Sequence, residues 1–445
     1  MKYNLILMIS HDTGRRIENY GHKVHTPNLM ELSKKGIQFN EYYCTAPQCS
    51  PSRGSILTGL YPHNHGMMGL AHLGFAIGEQ YSTLPFELRK YGYETTLIGL
   101  SHETIGEAPP IKDRVFSSTF KLGYDNFIPV EGDRSPKVAK EVISFLEKRT
   151  NPNPFYLNVG LYETHRPFEE YRDMADNPDD VEVFEFLPDT PKVREDISLY
   201  NGAAKVLDSA IGEITNYLES SGLRDNTIVI YTTDHGVDFP RAKGALKKAG
   251  LETALIISLP NSEIINVEKN ALLSNVDLLP TILDLVGADI PENIDGKSFA
   301  DMIRNNTDEE IHEYIYSELT WHDRYHPTRS IRSKEYSYVR NFIDGPKVYI
   351  PIDSHLSLSG EEVRDECYEP NEKEEFYDLL SDPNEVNNLI GSHEYEDLIK
   401  TYRETLNYWL ESTSDPILAG EIKGVGSSRW EKEIVENRAY KGWKI

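Results

Sequence analysis

Short apolar runs at residues 4–10, 95–99, 155–161, 227–232 and 254–259 punctuate the first three-quarters of the chain. Each has strand length, and amphipathic sequence separates them. Residues 27–35, 51–57, 137–148 and 193–218 read as helices, the last two with apolar side chains at helical spacing. That alternation predicts an α/β chain whose sheet carries helices on both faces. In such sheets ligands bind beyond the carboxyl ends of the strands. Most residues here with chemical potential follow the apolar runs.

From Tyr325 onward the character changes. Residues 331–342 and 375–379 read as strands of a separate small sheet, and 361–375 as an acidic, solvated loop. Residues 387–412 read as one helix after a turn at Asp382-Pro383-Asn384.

A chain of 445 residues with 39% hydrophobic content suits one large domain plus a smaller one. Three cysteines, Cys44, Cys49 and Cys367, imply no disulfide framework. The net charge of -26 weighs against nucleic acid and anionic membranes as partners. An anionic small substrate needs only a locally cationic pocket. The apolar run at 5–9 is cut short by Ser10-His11-Asp12, so it reads as a strand rather than a signal peptide. No stretch reaches the roughly 20 apolar residues of a membrane span. A cytoplasmic location is the expectation, and the oligomeric state, homo-oligomer included, stays open.

The run Cys49-Ser50-Pro51-Ser52-Arg53-Gly54-Ser55-Ile56-Leu57-Thr58-Gly59 resembles the signature of the formylglycine-dependent sulfatases, members of the alkaline-phosphatase superfamily. Two strand-end segments resemble that family's metal-binding motifs: Ser10-His11-Asp12, and Thr233-Asp234-His235-Gly236. Strand-end carboxylates suit a hard divalent cation, which wants oxygen ligands. Further likeness, to the N-sulfoglucosamine sulfohydrolase (heparan N-sulfatase) branch and its bacterial relatives, lies in Gly66-Met67-Met68-Gly69-Leu70, Pro327-Thr328-Arg329-Ser330-Ile331-Arg332 and Phe376-Tyr377-Asp378-Leu379.

The resemblance implies an alkaline-phosphatase-like sandwich: a large mixed central sheet flanked by helices, plus a small C-terminal α+β domain with an antiparallel sheet. It divides the chain at 1–325 and 326–445. Cys49 would be oxidised to formylglycine by a formylglycine-generating enzyme, the hydrated aldehyde acting as nucleophile. Asp12, Asp234, His235 and Cys49 would hold the metal, with His11 standing where sulfatases carry the first of two Asp. Arg53 would hold the nucleophile and the metal carboxylates, and Lys243 the sulfate. His165 matches the leaving-group acid. His102 matches the His of a Gly-Lys-x-His motif whose Lys is here Leu100. His63, His65, Arg166 and Arg329 are the expected substrate contacts. Calcium is the expected cofactor by resemblance. Manganese is the alternative, because imidazole ligands favour transition metals.

The expected substrate is a sulfated sugar, first the N-sulfate of glucosamine from heparan or heparin. The alternatives are an O-sulfatase on glucosamine and a phosphonate monoester or phosphodiester hydrolase of the same superfamily. A non-catalytic sulfated-sugar-binding protein is the reading from another class. The intact signature, with Asp12, Asp234, Lys243 and His165, stands against it.

Overall fold

A computed structural model describes residues 2–104 and 122–424. The apolar run at 4–10 becomes an inner strand of an eight-stranded sheet. In chain order the strands are β1 (Asn4–Ser10), β2 (Ile37–Phe39), β3 (Tyr42–Tyr43), β4 (Glu94–Gly99), β5 (Asn126–Ile128), β6 (Phe155–Gly160) and β7 (Thr227–Thr233). There follow β8 (Leu255–Ser258), β9 (Val267–Lys269), β10 (Leu273–Ser274), β11 (Ile315–Trp321), β12 (Tyr325–Arg332), β13 (Tyr336–Asn341) and β14 (Glu374–Asp378). The large sheet is ordered β5-β4-β6-β1-β7-β8-β2-β9. β8 runs antiparallel to both neighbours, and the other pairings are parallel. The sheet is therefore mixed.

Strand periodicity divides the core of this first layer between the two faces of its sheet. Leu5, Leu7 and Ile9 pack with Ile56, Leu57, Leu84 and Ile282 on one face. Ile6 and Met8 pack with Val138, Val142, Leu207 and Ile211 on the other. The helix Cys49–Thr58 thus covers one face, while Ser135–Lys148 and Pro191–Ser220 cover the opposite one. With β1 between β6 and β7, the loops leaving three adjacent parallel strands emerge together at the carboxyl end of the sheet.

The second layer is the four-stranded antiparallel sheet β11-β12-β13-β14. Tyr402, Leu406, Trp409 and Leu410 of the helix Glu396–Ser412 cover it. Its first strand precedes the boundary at 325/326, because β11 and β12 form one hairpin. Residues 425–445 of the expected small domain lie outside the described residues.

Three expectations differ from the structure. Residues 331–342 are not one strand: β12 turns at Ser333 and returns as β13. The helix expected over 387–412 begins only at Glu396: Asn388 is turned to the side of β14, accepting from Phe376 N–H, and Gly391 follows at φ +84°. The acidic segment overlaps the helix Leu358–Cys367, whose narrow apolar edge, Val363 and Cys367, is buried against Ile350.

A buried ionic knot joins the two layers. Arg329 donates through Nε and Nη2 to Asp415 at 2.6 and 3.1 Å, and through Nη1 to Leu319 O at 3.0 Å. Glu318 pairs with His63 and lies 3.7 Å from Arg329. Burial opposes a charge on His63, but Glu318 and Asp415 outweigh it and raise its pKa. A raised folded-state pKa contributes stability that is present below the unfolded value, about 6.5, and is lost as pH rises through the folded value. The urea midpoint should therefore fall as pH is raised above about 6.5, and His63→Gln should remove that part of the slope. A midpoint series from pH 6 to 9 on both proteins checks this.

Candidate active site

Cys49 is the first residue of the helix Cys49–Thr58, every residue of which is buried. The small residues of this run serve that packing. Ser52 Oγ donates to the Asp234 carbonyl and accepts from Asn275 Nδ2 at 2.8 Å. A Cβ at Gly54 would stand 2.7 Å from His65 Cε1. Gly59 ends the helix at φ +68°, a left-handed conformation that glycine adopts without strain. The side of the helix bearing Cys49 and Arg53 is thereby pressed onto the ends of β1 and β7.

Those strand ends supply the carboxylates. Asp12 follows β1 at φ +57°, and its N–H donates to Asp234 Oδ1 at 2.9 Å. Asp234 follows β7 and accepts from Arg53 Nε at 3.0 Å. Lys243 Nζ donates to Asp12 Oδ2 at 2.6 Å and to Asp238 Oδ2 at 3.1 Å. One donor atom from each of His11, Asp12, Cys49, Asp234 and His235 fits within 4.8 Å of all the others.

The electrostatics show what this cluster wants. Asp12, Asp234, Asp238 and Glu103 are four buried carboxylates facing two permanent cations, Arg53 and Lys243. Burial alone would make His11 and His235 neutral. Asp12 and Asp234 nevertheless raise His11 to about 9 and His235 well above its ordinary value. Against burial, His11 and Lys243 hold Asp12 well below the usual carboxylate range. The carboxylates thus hold protons on the two imidazoles, places that a metal cation could take. His235 Nδ1 donates to Gly236 O at 2.9 Å, and Nε2 faces Asp12 Oδ1 at 2.8 Å, where a metal would take the place of its proton. A backbone acceptor fixing the far nitrogen is the usual support of a ligating imidazole. The donor set fits a divalent metal.

The nucleophile's surroundings are equally specific. Burial opposes ionisation of Cys49, but His11 and Lys243 lower its pKa well below the ordinary thiol value. Arg53 Nη2 is buried with no partner among the described residues, so one donor remains beside Cys49 after Asp234 is served. His102 Nδ1 lies 3.1 Å from His11 Nε2, and burial pushes His102 down to about 3, a neutral base. His165 Nδ1 donates to Arg166 O at 2.6 Å, which turns Nε2 towards Asp12 Oδ2, 3.8 Å away.

The other expected contacts lie elsewhere. Arg166 is locked to Asp196 by two 2.8 Å bonds. Arg329 and His63 belong to the ionic knot between the layers. His65 is buried beneath Gly54, and burial pushes it down to about 3. A cleft of about 480 Å³ at Arg16, Arg241, Lys248 and Lys347 holds none of the clustered residues. Sequence reasoning did not find Asp238, the second anchor of Lys243, or Glu103, 3.6 Å from Arg53. Their only signal was a carboxylate five residues before Lys243 and another beside His102.

A family description, Sulfatase, matches residues 3–288. The chain belongs to the sulfatase family. A second, N-sulphoglucosamine sulphohydrolase, C-terminal, matches residues 242–356. The chain is 27% identical to an ulvan-active sulfatase of Formosa agariphila, over 93% of this chain and 75% of the relative. It is 25% identical to human N-sulphoglucosamine sulphohydrolase, over 93% of this chain and 91% of the relative. The fold matches the phosphonate monoester hydrolase of Agrobacterium radiobacter with a TM-score of 0.71 at 18% identity, over 94% and 97% of the two chains. The sulfatase is thus a sulfuric ester hydrolase of alkaline-phosphatase-like architecture, and the expectation of fold and family holds. No helix among its described residues is long and apolar enough to cross a membrane.

Removing a metal from this cluster should leave its carboxylates mutually repelled. Chelation should lower the thermal midpoint, and calcium or manganese should restore it, by about 2.7 kcal/mol of stability at a hundred times the dissociation constant. Asp12→Asn should abolish the metal-dependent shift in the same calorimetric scan.

Proposed function

We propose that this sulfatase removes sulfate from a sulfated amino sugar, first the N-sulfate of glucosamine. Cys49 at the head of a buried helix, with Asp12, Asp234 and His235 around it, carries the reading. The match of residues 242–356 to the N-sulphoglucosamine sulphohydrolase C-terminal description supports the substrate class. Asp12, Asp234, His235 and His11, with Cys49, would hold a divalent metal, calcium first and manganese as the alternative. When in place, the metal polarises the sulfuryl group and a formylglycine derived from Cys49 supplies the nucleophile.

The chain's own groups divide the remaining work. Lys243 and the spare Nη2 of Arg53 bind the sulfuryl oxygens and stabilise charge developing on them. His165, its Nδ1 fixed by Arg166 O, presents Nε2 to deliver a proton to the departing nitrogen or oxygen. His102, neutral and with Nδ1 accepting from His11, presents its Nε2 N–H as a hydrogen-bond donor beside residue 49. The enzyme would act in the cytoplasm, after maturation by a formylglycine-generating enzyme.

Leu100, in place of the lysine expected for sulfate, and the Asp234-His235 pair favour a second reading, a phosphonate monoester or phosphodiester hydrolase. Turnover of glucosamine N-sulfate, glucosamine 6-O-sulfate and an aryl phosphodiester by the matured enzyme separates the readings. N-desulfation should dominate, and Cys49→Ala should lower it about a thousand-fold or more. His165→Ala should cost about a hundred-fold on the sugar and far less on an aryl sulfate, whose leaving group needs no proton. Dominant phosphodiester hydrolysis would contradict the substrate assignment.

A further inference from the structure

The C-terminal layer reaches the cluster through two short segments. At the end of β11, before the turn to β12, Trp321 belongs to one apolar cluster with Cys49 and Phe75. Its N–H donates to Met68 O at 3.1 Å. Asp323, two residues on, donates its N–H to Tyr349 Oη at 2.9 Å and accepts from Ile352 N–H at 2.6 Å. Those bonds fasten the segment Ile352–His355 to the turn. From the other side Ser354 Oγ donates to Asp238, the carboxylate that anchors Lys243. Asp238 also groups with His165 and Asp12, their ligating atoms within 4.8 Å of one another.

Asp353 therefore stands between two fixed points. The residue before it is tied to Asp323, and the residue after it to the Lys243 anchor. Asp353 itself is exposed, and its carboxylate has no hydrogen bond or ion pair among the described residues. It is nonetheless one of the charges acting on both His165 and Lys243. Although part of the residue meets solvent, the protein packed around its carboxylate raises its pKa by desolvation first, and the neighbouring Asp238 adds to that. In the same turn as Asp323, His322 Nε2 is buried without a hydrogen-bond partner among the described residues.

An uncommitted carboxylate is an odd neighbour for a pocket that must take in sulfate. It weakens anion binding unless it does something for the rest of the substrate. A carboxylate accepts hydrogen bonds from hydroxyl and ammonium groups and repels a second anion. We infer that Asp353 is a specificity-determining residue: it accepts hydrogen bonds from a hydroxyl or ammonium group beside the scissile sulfate and excludes a second sulfate at that position. His322 Nε2 supplies a further polar contact to the same sugar unit. The inference rests on the sulfatase reading and sets which sulfation patterns the enzyme accepts.

Binding tests it without turnover. Cys49→Ala and the double variant Cys49→Ala/Asp353→Asn are each titrated calorimetrically with glucosamine N-sulfate and with its N,3-O- and N,6-O-disulfated forms. With Asp353 present, at least one disulfated sugar should bind more weakly than the monosulfated one. Asp353→Asn should shrink that difference about ten-fold, because like charges no longer meet. Asp353→Lys should reverse it. Unchanged affinity ratios in both variants, or no binding of any of the three sugars, would overturn the inference. Failure of the sulfatase reading shows separately, as absence of desulfation by the matured parent enzyme.

Discussion

The site depends on one carboxylate, Asp12, held where three parallel strands end. It meets Lys243 at 2.6 Å, His235 at 2.8 Å and His11 at 2.6 Å, while its own N–H is spent on Asp234. Groups from the ends of β1 and β7 and from the loop beyond β7 are thus drawn to one point. A carboxylate buried this completely is tolerable only when cations surround it. Its partners are the groups a sulfuryl-transfer site needs, so the requirement for pairing and the requirement of the chemistry coincide.

The helix starting at Cys49 is the complementary constraint. It must lie close enough to place Cys49 and Arg53 over the strand ends, and its Ser52, Gly54 and Ser55 make that approach possible. Ser52 and Ser55 bond inward, to Asp234 O and to Thr45 Oγ1 at 2.7 Å, and Gly54 makes room for His65. A signature that reads as chemistry is therefore largely packing. Two of its residues face the cluster, and most of the others hold them there.

Much of this was legible in the sequence because it is local. The strand runs at 4–10, 155–161 and 227–232 are continuous apolar segments, and they form β1, β6 and β7 within a residue or so. Asp12, Asp234 and His235 follow those strands directly, so their convergence needed only the parallel order of the sheet. The rest was hidden because its causes are long-range. Asp238 anchors Lys243 only through the fold of one loop, and Asp353 reaches the site only because its segment is tied to Asp238 and Asp323. Arg329 sits in a motif shared with the N-sulfoglucosamine branch. Its partner is Asp415, far along the chain, so sequence gave no sign that all its donors are used inside the knot. In the C-terminal layer the break at Ser333 carries no proline or glycine, and the apolar pattern ran through it; the break before Glu396 does carry a signal, Gly391 at φ +84°, which the apolar pattern outweighed.

Everything assigned to the nucleophile requires that residue 49 be converted from thiol to aldehyde. The most direct measurement is the mass of the peptide containing residue 49, from protein purified out of cells that hold a formylglycine-generating enzyme. The arrangement around Cys49 predicts the aldehyde mass, captured as a hydrazone by an added hydrazine. An intact, alkylatable thiol at Cys49 in protein that desulfates glucosamine N-sulfate would contradict it.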